Sequence, residues 1–309
     1  MTKRMSINEL ANRAMLIKIH IGQYGFYKKE KSASKVVADH YGTDADMGHY
    51  TKQTIHKSYV EKIRKIVNSA RTYFYTHTLP WEDNGFRLLT TEMFNDVSDE
   101  LRKMKVEFET AKDELIDNIE AYKDAAQIAL GSLYNPNDYP TRSQMEGRYC
   151  FDIEFAPIPT SGDFRVELNE KVVEEIRNQI ENKGNRQVEL AMQDCWNRVR
   201  DVLASLRDKM SEENRVVKVK KKDRKGKTYT EKVEKAPIFR DSIIGNIQDL
   251  VKVLKGLNVT NDPNLEKVRA QLEADICKVN TDTLRTDKSA RSETAKKADA
   301  ILSNMDGIF

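Results

Sequence analysis

The sequence predicts a mainly α chain with a small β component, an α+β fold of long antiparallel coiled-coil helices, a short sheet near one end, a basic β-hairpin and a C-terminal helical bundle. Three observations predict it. A third of the 309 residues are charged and 39% are hydrophobic, with only 13 Gly and 7 Pro to interrupt helices. From Phe94 onward apolar residues recur in steps of three and four through Leu133. Residues 16–24 and 149–155 are instead β-branched or strictly alternating. This composition excludes membrane, collagenous and disulfide-rich classes. All but four of the 24 Trp, Tyr and Phe residues precede position 170, so the N-terminal half reads as the more globular part.

Residues 16–24 read as the first strand. Ser32 is placed to cap a short helix reaching His40, with Val36 and Val37 as its apolar face, and a polar link over 41–51 follows. Residues 59–75 carry Val60, Ile63, Ile66, Val67 and Ala70 at helical spacing and end before Leu79-Pro80. Trp81-Glu82-Asp83-Asn84-Gly85 then reads as a fixed corner, because both positions of Asn-Gly tolerate positive φ.

The seam from Phe94 runs through Val97, Leu101, Met104, Phe108, Ala111, Leu115, Ile119, Tyr122, Ala126, Ala129 and Leu133, with one extra step of four after Leu115. One helix over 91–133 would be about 64 Å long at 1.5 Å per residue and needs a partner. After an Asn169 cap, Val173, Ile176 and Ile180, an interruption at Gly184-Asn185, and then Val188, Met192, Cys195, Val199, Val202, Leu206 and Met210 offer one, as an antiparallel coil. Between the two, Tyr149, Phe151, Ile153 and Phe155 alternate with polar residues as a half-buried strand, expected to pair with residues 16–21.

Residues 215–219 and 228–233 are β-leaning runs around a lysine-rich segment and predict a hairpin. Three helices close the chain: one capped by Asp241 or Ser242, one started by Asp262-Pro263, and one over 283–305. The segments thus read as an N-terminal α+β part (1–90), a helical hairpin with an intervening strand (91–210), the basic hairpin (211–236) and C-terminal helices (237–309). Homo-oligomers through the long helix are compatible with the same seam.

The hairpin is the sharpest chemical feature. Residues 215–235 hold ten Lys or Arg against Asp223, Glu231 and Glu234, a net +7 in a chain of formal net charge +3, so the remainder is −4. Lys218, Lys220, Lys221, Lys222, Arg224, Lys225 and Lys227 suit phosphates, with Tyr229 as a stacking face, so nucleic acid is one expected partner; an acidic protein, or no partner at a lysine-guarded edge, is the alternative. His40, Asp44, Asp46 and His49 are of metal-binding type but match no standard spacing, and no metal is expected. Cys150, Cys195 and Cys277 are expected to be reduced thiols. No signal-peptide pattern or membrane span is read, and a cytoplasmic location is expected. No P-loop, GxSxG, HExxH, paired CxxC or dinucleotide fingerprint occurs, so no catalytic residue and no cofactor are assigned.

The order Trp81-x-Asp83-Asn84-Gly85-x-Arg87-x-Leu89 after Ala70-Arg71-x-Tyr73, then Leu130-Gly131-Ser132-Leu133, Tyr139-Pro140, residues 151–159 and Asp163-Phe164-Arg165-Val166, resembles the bacterial and phage domain-of-unknown-function 3150 family. Phe239-Arg240-Asp241-Ser242 and Leu257-Asn258-Val259-Thr260-Asn261-Asp262-Pro263 are similar to its second half, so the resemblance spans residues 14–272. It implies no active site. Members tend to be encoded beside a MoxR-type AAA+ ATPase and a CobT-like von Willebrand factor A protein. The resemblance therefore implies a helical adaptor or scaffold for such a protein-remodelling pair, a non-enzymatic role, with Trp81, Asp83, Asn84, Gly85 and Arg87 as a family motif rather than a catalytic one.

Overall fold

The computed structural model describes residues 5–82, 85–163, 169–211, 215–222, 228–235 and 242–305. Ser6 opens the fold: its hydroxyl accepts the Glu9 amide at 3.2 Å while the Glu9 carboxylate accepts the Ser6 amide at 3.0 Å, a reciprocal cap for α1 (Ile7–Ala11). The strand expected next is β1 (Ala14–Gly22), followed by β2 (Tyr27–Lys29) and α2 (Lys31–Tyr41). Ser32 does not cap α2. Glu30 occupies the cap position without a side-chain cap bond, and the Ser32 hydroxyl donates to its carboxylate at 2.9 Å. The helix ends at Gly42, whose φ of 62° is the left-handed closing conformation that glycine adopts without a Cβ clash.

The polar link contains β3 (Thr51–Gln53), paired antiparallel to β2 with Tyr27 opposite Gln53. Helix α3 (Ser58–His77) leads to the short β4 (Leu79–Pro80) and β5 (Arg87–Thr90), which pair antiparallel. Then come α4 (Phe94–Asp117), α5 (Ile119–Leu130), α6 (Arg142–Arg148) and β6 (Cys150–Ala156). The main sheet has the order β4-β5-β1-β6, so β6 does pair with β1 as its alternation predicts. The 42-residue α7 (Glu170–Ser211), the hairpin β7 (Arg215–Lys222) and β8 (Thr228–Lys235), and α8 (Ser242–Leu257), α9 (Pro263–Asp275), α10 (Thr281–Thr286) and α11 (Lys288–Met305) complete the chain. The α+β class therefore holds, mainly helical with a small sheet.

The chain divides into two compact units that are interleaved in sequence, whereas the segments read from the sequence run consecutively. One comprises Met1–Leu16, Thr76–Met93 and Pro157–Phe309; the other Ile17–Tyr75 and Phe94–Ala156.

In the second unit the single helix expected over 91–133 is two helices. The break falls at Asn118, inside the seam's extra step of four from Leu115 to Ile119. Its backbone leaves the helix at φ −96°, ψ 3°, and its side-chain amide donates to the Glu114 carbonyl at 2.8 Å. Phe108, Ala111, Leu115 and Ile116 of α4 are spent within this unit, in one buried cluster with Ile63, Val67 and Ala70 of α3 and Phe151 of β6. Phe108 meets Phe151 at 5.7 Å between ring centroids with planes 66° apart, an edge-on aromatic pair.

In the first unit the partner of α7 is α11, which packs along it, with α8 packed against both α7 and α9. Val188, Ala191, Cys195, Val199, Leu203, Leu206 and Met210 form the buried stripe of α7; Thr294, Ala298, Ile301 and Met305 form that of α11. The seam of α7 thus packs along α11 within its own unit, as Phe108, Ala111, Leu115 and Ile116 of the α4 seam are buried within theirs. The last helix is also divided: Asp287 turns extended, and its carboxylate accepts the Ser289 and Ala290 amides at 2.7 and 3.3 Å, capping α11. Asn169 and Asp262 cap α7 and α9 as expected, accepting the Lys171 and Asn264 amides at 3.0 and 2.9 Å.

Gly184-Asn185 does not interrupt α7, which runs through it. Glycine serves close approach here: a Cβ at Gly184 would lie 2.7 Å from the fully buried side chain of Ile7 in α1. Gly184→Val is therefore expected to destabilise the first unit by about 2 kcal/mol through overpacking. Ile7→Ala in the same chain is expected to recover part of that loss in a double-mutant cycle of denaturant unfolding, and strictly additive losses would contradict the contact. Among the described residues no helix is long and apolar enough to cross a membrane.

Candidate functional site

Pro80 follows Leu79 on an edge strand, where a missing N–H is tolerated, and sits opposite Arg87 in the β4–β5 register. That register brings the Arg87 guanidinium back to Thr78: Nε donates to its hydroxyl at 2.7 Å and Nη2 to its carbonyl at 2.9 Å. A second arginine reaches the same backbone from α7. Arg198 Nη2 donates to the Thr78 carbonyl and Nη1 to the Thr76 carbonyl, both at 2.8 Å, while its Nε donates to Asp194 one helical turn earlier at 2.8 Å. Thr78 is fully buried, so two planar guanidinium forks converge on one desolvated carbonyl and hold the segment entering Trp81.

Beside this clamp lies a groove of about 840 Å3 between Pro80, Trp81 and Glu82 on one side and α7 on the other. Trp81 is 5% exposed and forms its apolar wall; Leu190, 43% exposed, stands on the helix side. Arg186, Gln187, Gln193 and Asn197 supply donors and amide groups, and Lys183 pairs with Glu82 at 2.6 Å. Such a lining offers hydrogen-bonding groups rather than reactive ones, and its described residues include no Ser, Cys or His nucleophile or base.

Of the motif residues, Trp81 walls the groove and Arg87 works in the clamp; Gly85 has φ 88°, as the corner requires, and Asp83 and Asn84 lie outside the described residues. Lys218, Lys220, Lys221, Lys222 and Tyr229 fall on the paired strands β7 and β8, while Arg224, Lys225 and Lys227 lie outside the described residues. Asp44 accepts the Asp46 amide at 3.0 Å, which makes it the cap of a short 3-10 turn, and among the described residues no group of three His, Cys, Asp or Glu side chains could hold a metal ion. All three cysteines are unpaired thiols; burial pushes that of Cys195 up to about 12.

Sequence reasoning missed Arg198, Thr78 and, in the second unit, Lys52. The Lys52 side chain is 1% exposed, and its ammonium contacts Glu30 at 2.9 Å, Asp138 at 2.8 Å and the Leu133 carbonyl at 2.5 Å. Burial by itself would pull its pKa down, but the hydrogen bonds to Asp138 and Glu30 outweigh that and raise it. Glu30 in turn is held below its ordinary value by the hydrogen bonds from Lys52 and Ser32. A lysine in a polar run carries no periodic signal of burial.

This network anchors the start of α2. Val36 and Val37, expected to face the core, are 68% and 48% exposed, and only Ala38 of the helix is buried. Tyr41 is 73% exposed and Met47 85%. Tyr50 is brought back onto the helix start: its amide donates to Ser34 Oγ and its carbonyl accepts the Glu30 amide, both at 2.9 Å. Five large apolar side chains of residues 36–50 are therefore exposed, with exposed Lys28, Lys29, Lys31 and Lys35 before them in the chain and exposed Asp39, Asp44 and Asp46 among them. Comparison with family models, with curated protein sequences and with solved structures finds no match for this chain.

Proposed function

We propose that this chain is a non-enzymatic adaptor that docks a partner protein on the exposed face of α2, as a component of a MoxR-type AAA+ ATPase and CobT-like von Willebrand factor A remodelling module. The observation that carries the reading is the exposure of Val36, Val37, Tyr41, Met47 and Tyr50 within one fifteen-residue segment, since exposed large apolar side chains brought close together are the mark of an interaction surface. The choice of partner rests on the resemblance in residue order to the domain-of-unknown-function 3150 family.

Each of Val36, Tyr41 and Met47 would contribute about 1.5–3 kcal/mol when fully covered. The test is size-exclusion chromatography of the full chain with the two purified partners, with and without ATP. A complex is expected in at least one nucleotide state, and Val36→Ser, Val37→Ser and Tyr41→Ser together are expected to weaken it at least about a hundredfold while the circular dichroism is unchanged. The absence of any complex in every nucleotide state, or a complex that the triple variant leaves intact, would remove the reading.

A further inference from the structure

The hairpin is independent of the α2 face and has an organisation that its composition does not reveal. Strands β7 and β8 pair antiparallel without slippage from Arg215 opposite Lys235 to Lys222 opposite Thr228. Because successive residues of a strand belong to opposite faces, this register sorts the ribbon into two. One face receives Val217, Val219, Val233 and Tyr229 together with Arg215, Lys221, Lys235 and Glu231. The other receives Lys218, Lys220 and Lys222 along one strand and Lys232 on its neighbour, with Thr228 and Thr230 opposite the last two lysines and the Val216–Glu234 pair at the far end, four cations to one carboxylate.

Two features of the second face point to a polyanion. Lys218 and Lys232 are directly opposite each other, a like-charge pairing that disfavours the ribbon and that meets a single carboxylate, Glu234, on the same face. The three lysines of β7 recur at every second residue, roughly 6.7 Å apart, a regular ladder suited to a repeating row of charges rather than to a single carboxylate. The rest of the chain carries a net −4, so this attraction is local to the ribbon. A two-stranded ribbon is also of a size that the roughly 12 Å major groove of B-form DNA admits, whereas the deep, narrow major groove of A-form RNA does not.

We propose that the β7–β8 ribbon is a binding element for duplex DNA, in which Lys218, Lys220, Lys222 and Lys232 meet the phosphate backbone as the ribbon enters the major groove. Four phosphate contacts predict a logarithmic salt slope near −3.6, which is a loss of roughly a hundredfold in affinity between 50 and 200 mM salt. The element reads backbone and shape, and no base preference is assigned to it.

Fluorescence anisotropy of the full chain tests this with three labelled probes: a mixed-sequence DNA duplex, an RNA duplex of the same sequence, and polyglutamate. The DNA duplex is expected to bind tightest, with the slope above. Changing Lys218, Lys220, Lys222 and Lys232 to Ser is expected to weaken it at least tenfold and flatten the slope. Changing Lys57, Lys62 and Lys65 of the α3 region to Ser, a charge loss elsewhere, is expected to leave it within a factor of about two. No DNA binding at 50 mM salt, equal affinity for RNA or polyglutamate, or binding that survives the four ribbon substitutions would each overturn the proposal.

Discussion

Lys52→Ala is expected to lower the free energy of unfolding by about 3 kcal/mol at neutral pH, because it leaves Asp138 and Glu30 facing a partly desolvated position without their cation. Lys52→Met keeps the apolar stem and is expected to lose less. The same pairings set the pH limits. The Lys52 pKa is raised above 10.5, so its contribution is present below that value and is lost as pH rises through the folded-state pKa. The Glu30 pKa is lowered below 4.5, so its contribution is present above that value and is lost as pH falls through the folded-state pKa. Urea unfolding followed by circular dichroism at pH 3.5, 7 and 12 is expected to show the gap between wild type and Lys52→Ala largest at pH 7 and smaller at both extremes. A gap of less than about 0.5 kcal/mol at pH 7 would contradict the network.

Arg198→Met is expected to destabilise the first unit by about 2–3 kcal/mol, since it removes charged donors from the Thr76 and Thr78 carbonyls next to a fully buried residue. Asp194, 34% exposed, recovers part of its loss from water. Arg87→Met removes the other fork on the Thr78 carbonyl, so the double variant is expected to lose more than the two single losses combined, by about 1 kcal/mol, because only then is that carbonyl stripped of both. Tryptophan fluorescence reports this unit alone, because Trp81 and Trp196, the two tryptophans of the chain, both belong to it. Additive losses would indicate that the arginines do not share the carbonyl.

What could be read in advance follows from how physical signals appear in a chain. Periodicity located α3, α4, α7 and α8, and alternation located β6 and its pairing with β1, because apolar spacing is a local property that burial enforces. The break at Asn118 lies in the seam's extra step of four, and spacing alone does not tell it from a stutter within one continuous helix, because the two share that step. The partner of a seam was not legible: the apolar stripe of α7 does not say whether α4 or α11 will fill it, and the choice follows from how chain segments 1–16, 76–93 and 157–309 assemble into one unit.

At the candidate sites the same limit holds. Trp81 and Arg87 stood out by type, but their roles as groove wall and backbone clamp depend on Arg198, more than a hundred residues away. Val36 and Val37 looked like a core face because helical spacing marks an apolar stripe without marking what covers it. Their exposure is a tertiary fact, and it is the one on which the functional proposal turns.

The most direct measurement is hydrogen–deuterium exchange of the full chain alone and with the MoxR-type ATPase and von Willebrand factor A protein at saturating concentration. Slowed exchange concentrated in residues 31–50, absent in the Val36, Val37 and Tyr41 triple variant, is the predicted result. Unchanged exchange in that segment, in every nucleotide state, would contradict the proposal that α2 is the docking face.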